Sequence, residues 1–375
     1  MRKIREFLLG PEGQTNYYHV VSRTAGRDIL FEDDEKETFR ILMLKQLKFS
    51  GLRALAWCFM GNHFHLLLEV PDRELATEGW KDEDYIKRLE VFKYEWSSKL
   101  VLDEVEMFRE NGADEKVNEV AESVKARLFD LSMFMKELKL KMTLAYNRKH
   151  GRVGTLWEGP FKSVLLQPPS PFSFAKATAN KRLRRSGETD GESGESSDAL
   201  RMVAAYIDLN PIRAGLAREP EGYRWCSYAA AVAGVRDARQ GLCYAVMGRS
   251  RVAWKKVAQE YRCLLYAKGK TVKADQTVDG YNKGRAGFSR AEIKEVLESG
   301  GRLPVAEALR CRVRYFTDGA VLGSQRYVDD FFESKRESFG ARRKDGGRRM
   351  RGAQWGDLRV LRDLKEDVVT VKRPC

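Results

Sequence analysis

The stretch Ala56 to Val70, reading AWCFMGNHFHLLLEV, constrains this chain more than any other. Leu55, Trp57 and Phe59 precede the Gly61-Asn62 pair, and Leu66, Leu67, Leu68 and Val70 follow it. Such apolar runs have the length and composition of buried strands. Gly-Asn is a turn dipeptide, so residues 52–60 and 63–70 are predicted to form a hairpin. Side chains two apart on a strand share a face, so His63 and His65 point the same way and Phe64 points to the opposite layer. Two imidazoles converging in this way suit a divalent cation. The same pattern also describes two hydrogen-bonded core histidines. Of the four histidines in the whole chain, two stand here.

A chain of 375 residues with 43% hydrophobic content buries a full core and has room for two or three domains. Its formal charge of +14 favours a polyanionic partner, with nucleic acid the first candidate. The same excess also serves solubility or attraction to a membrane surface. Six cysteines are scattered without a C-x-x-C pair, so neither a zinc ribbon nor a disulfide framework is indicated and a reducing cytosol fits best. The opening MRKIREFLLGPEGQ has too short an apolar run for a signal or a span, and no long apolar run follows, so no membrane role is expected.

In chain order, YYHVVSR at 17–23 is predicted to be a strand, and its His19 is assigned a structural role. Asp33 or Asp34 caps a helix over 34–49, which Gly51 ends. Residues 72–130 are highly charged with helical patterning and are expected to form an inserted helical arm. A long helix over 132–150 follows, with Met135, Leu138, Met142 and Ala145 on one face. Lys136, Lys139, Lys141 and Arg148 on its other face are either a solvated basic surface or phosphate contacts. A strand at 161–167, a polar and mobile loop at 183–199, and a helix over 198–209 capped by Asp198 come next. Asn210-Pro211 breaks that helix or starts another.

This order matches an α+β, ferredoxin-like (RRM-like) fold, a split β-α-β-β-α-β sheet with helices on one face and the other face open. Within the last helix Tyr206 and Asn210 stand four apart and project from the same side. Taken alone, Tyr206 reads as a half-buried tyrosine and Asn210 as a cap before Pro211.

Together with His63 and His65, these residues resemble the REP-associated tyrosine transposases, a branch of the HUH single-tyrosine transposases. The segments that carry the resemblance are YYHVVSR, GNHFHLLLEV, YNRKHGRVGTLWEGPFKSVLLQ and YIDLNPIRAGLAREPEGYRWCSY, spanning about residues 17 to 230. The resemblance implies that His63, His65 and Asn210 hold a divalent metal, Mg²⁺ or Mn²⁺, and that Tyr206 is the nucleophile. It implies a transposase that nicks and rejoins single-stranded or hairpin DNA through a 5′-phosphotyrosine, in the bacterial cytoplasm at the nucleoid, compatible with a homodimer. Such a bond conserves the energy of the phosphodiester so that the strand can be resealed. A non-catalytic nucleic-acid-binding protein that kept the fold is the alternative. A zinc site from His63, His65 and Cys58 is disfavoured because no second cysteine accompanies Cys58.

The resemblance assigns residues 1–235 to the transposase-like domain and leaves 236–375 as a C-terminal extension, helical in part and basic. In the extension, Ser289 and Glu292 form a capping box, Gly300-Gly301 stops that helix, and Pro304 opens another. The run at 341–352 contains Arg342, Arg343, Lys344, Arg348 and Arg349, is expected to be flexible, and suits phosphate contacts or simple solvation. The charged arm and the extension depart from the family core and leave DNA specificity and oligomer geometry open.

Overall fold

A computed structural model of the chain describes residues 10–169, 199–266, 303–339, 343–361 and 369–370. Its frame is the run of strands β1 (Asn16–Arg23), β2 (Arg53–Phe59), β3 (His63–Val70) and β4 (Lys162–Leu166). β3 lies between β2 and β1, and β1 between β3 and β4, all antiparallel. The register sets Val21 opposite His65 and Arg23 opposite His63. β1, β2 and β3 are buried almost throughout because both their faces are covered.

Helix α1 (Asp33–Ser50) joins β1 to β2. Its N-cap is Glu32, one residue earlier than expected, and the Glu32 backbone N–H donates to the Glu35 carboxylate at 3.0 Å. Asp33 and Asp34 fall instead in the first turn, where their charge meets the positive helix end. Gly51 stops the helix in the left-handed conformation, with φ 78°, which costs glycine nothing. Between β3 and β4 the chain forms α2 (Arg73–Ala76), α3 (Asp82–Ile86), α4 (Trp96–Glu110) and α5 (Asp114–Lys125), the last three gathered with Phe49 of α1 around a core of their own that includes Phe92, Val105 and Leu128. The long α6 (Leu131–His150) then returns along α1.

After residue 199 come α7 (Ala199–Asp208), α8 (Asn210–Arg213), α9 (Ser227–Val232), α10 (Arg236–Met247) and α11 (Trp254–Leu265). From residue 303 the chain adds α12 (Val305–Ala308), β5 (Arg312–Val313), α13 (Tyr315–Asp318), β6 (Val321–Gly323), α14 (Gln325–Ser334), β7 (Arg348–Arg349), β8 (Arg359–Val360) and β9 (Val369–Thr370). β6 pairs in parallel with β4, and β8 and β7 follow, giving a mixed seven-stranded sheet of order β2-β3-β1-β4-β6-β8-β7. β5 and β9 form a separate pair. The added strands cover the edge of β4, whose unpaired backbone would otherwise face solvent.

The expected open face does not exist. On one side Phe64 meets Phe39 of α1, ring centroids 4.7 Å apart. On the other side, the histidine face, lie Tyr206 of α7 and Phe316 of α13. The expected plan placed helices on one face only and left the 198–209 helix and the C-terminal extension unassigned to the other. The covering elements come from residues after 199 and after 303, and a single core joins β1–β4 to Leu309, Phe316, Val321 and Trp355. The loop at 183–198, the capping-box helix near 289, Gly300-Gly301 and Arg342 lie outside the described residues. Among the described residues no helix is long and apolar enough to cross a membrane.

Candidate functional site

Strand alternation does what the H-x-H spacing requires: the rings of His63 and His65 stand on one face of β3 with centroids 5.2 Å apart. α7 lays Tyr206 edge-on to His65 at 6.1 Å between centroids. After Leu209 the chain re-enters helix at α8 with Pro211 in its first turn, which needs no backbone N–H. Asn210 thereby reaches His63, Nδ2 to Nε2, at 3.0 Å. The four residues singled out in the sequence are thus neighbours within one chain.

The hydrogen bonds fix the state of His63. Asn62 Nδ2 donates to the Arg27 carbonyl at 2.8 Å, so Asn62 Oδ1 is the atom that faces His63 Nδ1 at 2.7 Å. That oxygen only accepts, so His63 carries its proton on Nδ1 and a lone pair on Nε2. Asn210 Nδ2 donates to that lone pair, while Asn210 Oδ1 accepts from Arg213 Nη2 at 3.3 Å. His65 Nδ1 lies 2.9 Å from His19 Nε2, and His19 Nδ1 lies 2.6 Å from the Phe316 carbonyl.

Burial dominates the electrostatics. His19 is fully enclosed, and desolvation holds it down at about 4, against the pull of the Phe316 carbonyl. His65 is pushed well below the ordinary imidazole value by burial first, then by its neighbours His19 and His63. The Arg213 guanidinium stacks 3.7 Å from the Tyr206 ring centroid and donates to the Leu309 carbonyl at 2.9 Å. Arg23 is lowered by burial and then by Arg312 and Arg27, so cations gather at the β1 end beside His63. Tyr206 is only 3% exposed, enclosed by His19, His65, the Arg213 guanidinium and Phe316, which packs edge-on against it at 5.2 Å.

A divalent cation fits the imidazole part of this donor set: His63 offers Nε2, and neutral nitrogens suit Mn²⁺, with Mg²⁺ retaining waters. For Asn210 to join the set, its amide would have to turn so that Oδ1 replaces Nδ2 and leaves Arg213. Among the described residues no group of three His, Cys, Asp or Glu side chains is placed to hold a metal, which counts against the zinc reading with Cys58.

The basic candidates divide. Lys136 and Arg148 are exposed on α6. Lys139 is tied into the fold, donating to the Gly159 carbonyl at 2.7 Å and lying over Trp157. Lys344, Arg348 and Arg349 are exposed at the β7 edge, whereas Arg343 folds inward over Phe332 and Phe339 and donates to the Leu361 carbonyl. Two residues that sequence reasoning passed over belong to the site, His19 and Arg213. Arg213 stands in the quoted NPIRAG run, one turn beyond Asn210, a spacing that could have found it.

No protein-family profile and no curated protein sequence matches this chain. Among solved structures it is similar to a REP-associated tyrosine transposase bound to a REP hairpin, with 13% identity over 60% of this chain and 83% of that one and a TM-score of 0.31. It is also similar to a candidate transposase of Deinococcus radiodurans R1, with 13% identity over 48% of this chain and 99% of that one and a TM-score of 0.22.

Proposed function

We propose that this chain is a transposase-type nuclease that cleaves and rejoins single-stranded DNA, at hairpins of repeated elements, with Tyr206 as nucleophile. The observation that carries the reading is the convergence of Tyr206, His63, His65 and Asn210 on one face of the sheet. We read β2-β3-β1-β4 as the split β-α-β-β-α-β unit, to which the C-terminal strands are added.

In the reaction the Tyr206 phenol gives up its proton as its oxygen attacks a backbone phosphorus, the bond from phosphorus to the 3′-oxygen breaks, and the leaving 3′-oxygen takes up one proton to become a hydroxyl. The product is a 5′-phosphotyrosine, which the same 3′-hydroxyl or another can reverse. His63, His65 and Asn210 would hold a Mg²⁺ or Mn²⁺ ion, which supplies polarisation of the phosphate and charge for the leaving oxygen. Arg213 steadies the phenol ring and adds positive charge beside it. Arg23, Arg27 and Arg312 offer the phosphates a cationic approach. Because Phe316 covers Tyr206, α13 has to move aside for DNA to enter.

That same cover favours a second reading, a non-catalytic DNA- or RNA-binding protein in which Tyr206 is a core residue. Incubation with single-stranded hairpin DNA and Mn²⁺, followed by a denaturing gel, separates the two. A covalent adduct should form with the natural chain and be lost in Tyr206→Phe with DNA binding retained. An undiminished adduct in Tyr206→Phe overturns the assignment, and no adduct in either chain favours the binding protein.

A further inference from the structure

The backbone carbonyl of Phe316 is the fixed end of a hydrogen-bonded chain that reaches His65. A carbonyl oxygen only accepts, so His19 Nδ1, 2.6 Å away, is the donor. His19 is fully buried, stacked on His65 with centroids 5.1 Å apart and 18° between planes, with Tyr206 edge-on at 6.3 Å. Among the described residues no carboxylate hydrogen-bonds to it, and an unpaired charge in such surroundings is costly, so the ring is neutral. A neutral imidazole with its proton on Nδ1 has only a lone pair on Nε2. That nitrogen lies 2.9 Å from His65 Nδ1, which must then be the donor.

We propose that His19, held by the Phe316 carbonyl, is a positioning residue that fixes His65 with its proton on Nδ1 and its lone pair on Nε2, the form that binds a divalent cation. The inference rests on the reading of His63, His65 and Asn210 as the cation site. Metal-binding histidines commonly donate their second nitrogen to a carbonyl or carboxylate, which fixes tautomer and ring orientation. Here the carbonyl acts at one remove, through a second imidazole. The two ligand histidines are set from different parts of the chain. His63 takes its orientation from Asn62 and Arg27, while His65 takes it from a backbone atom 297 residues beyond His19. The C-terminal segment is therefore part of the site and does more than add strands.

The test uses the full chain labelled with ¹⁵N only at histidine. Four histidines give few signals, assigned by substituting them one at a time. In the metal-free natural chain at neutral pH, His65 should show a protonated Nδ1 and a bare Nε2, and a proton on His65 Nε2 overturns the proposal. Mn²⁺ affinity is then measured for the natural chain, His19→Phe and His19→Gln. Phe keeps the bulk and loses the relay, so its affinity should fall by about 10- to 100-fold. Gln can donate to the carbonyl and accept from His65, so it should retain most of the affinity. Unchanged affinity in a folded His19→Phe overturns the role. If His19→Phe does not fold, the tautomer of the natural chain and the Gln variant decide it. A natural chain that binds no Mn²⁺ removes the cation reading, while the metal-free tautomer still decides the relay.

Discussion

Arg213 lies over the Tyr206 ring, donates to the Leu309 carbonyl and holds the Asn210 oxygen, so one side chain touches the proposed nucleophile, a proposed ligand and the C-terminal segment. A lysine cannot reproduce this, because an ammonium neither stacks nor forks. Loss of a desolvated cation–π contact of about 2 kcal/mol corresponds to roughly 30-fold in rate. Arg213→Lys should therefore slow adduct formation by about that factor while the adduct still forms. Single-turnover rates with hairpin DNA check this, and an unchanged rate means the stacking is only structural. At this scale the site was legible where the rule is local. Strand alternation fixes the facing of His63 and His65 without knowledge of the fold, and four-residue spacing puts Tyr206 and Asn210 on one side of their helix, although it is the family resemblance that singles them out. His19 was not legible, because its role depends on the pairing of β1 with β3 and on Phe316, neither of which leaves a trace in nearby sequence.

Among elements, α7 ties the site to the helices behind it: Tyr206 projects toward the sheet, and Asp208, two residues later, anchors α7 to α9 and α11. Asp208 is fully buried and accepts from Ser227 Oγ at 2.6 Å, from the Tyr228 backbone N–H at 2.9 Å and from Tyr261 Oη at 2.8 Å. Burial raises its carboxyl to about 6 despite these donors. An unfolded aspartate titrates near 3.9, so the folded chain binds this proton more tightly than the unfolded one. The resulting stabilisation is fully present below about pH 4 and is lost as pH rises through about 6, a swing on the order of 3 kcal/mol. Asp208→Asn keeps the shape and removes the titration. The stability of the natural chain relative to this variant should fall between pH 4 and pH 7, as read from urea midpoints, and a pH-independent difference would contradict the raised carboxyl. The first four strands, α1, α6 and the restart at Asn210 were legible because each carries several residues of periodic pattern or a strong stop. β5 to β9 were not, since strands of two or three residues are too short to show a period and exist only through their partners.

For the molecule as a whole, the net charge of +14 is a statement about partners only if some of it is gathered where DNA would lie. The exposed Lys344, Arg348 and Arg349 sit at the β7 edge, four strand positions from β1. At about 4.8 Å per strand this edge is roughly 19 Å from the strand that carries His19. A stacked DNA strand rising about 3.4 Å per nucleotide needs about six nucleotides to cross that distance. Lys136 and Arg148 stand on α6, which packs on α1 on the face away from Tyr206, and are less favourably placed for the same strand. Deleting residues 341–375 would remove β7, β8 and β9 along with the charge, so substitution is the cleaner probe. Changing Lys344, Arg348 and Arg349 together to Gln should flatten the dependence of log affinity on log salt by about 2 for single-stranded DNA. Adduct formation on saturating oligonucleotide should be unaffected, because Tyr206, His63, His65 and Asn210 are untouched. Oligonucleotides that end within about six nucleotides of the cleaved phosphate should not distinguish the variant from the natural chain. Titrations of a long and a short oligonucleotide at two salt concentrations test the two binding expectations and a denaturing gel tests the adduct, and identical salt slopes for the long one would make the basic edge a solubility feature.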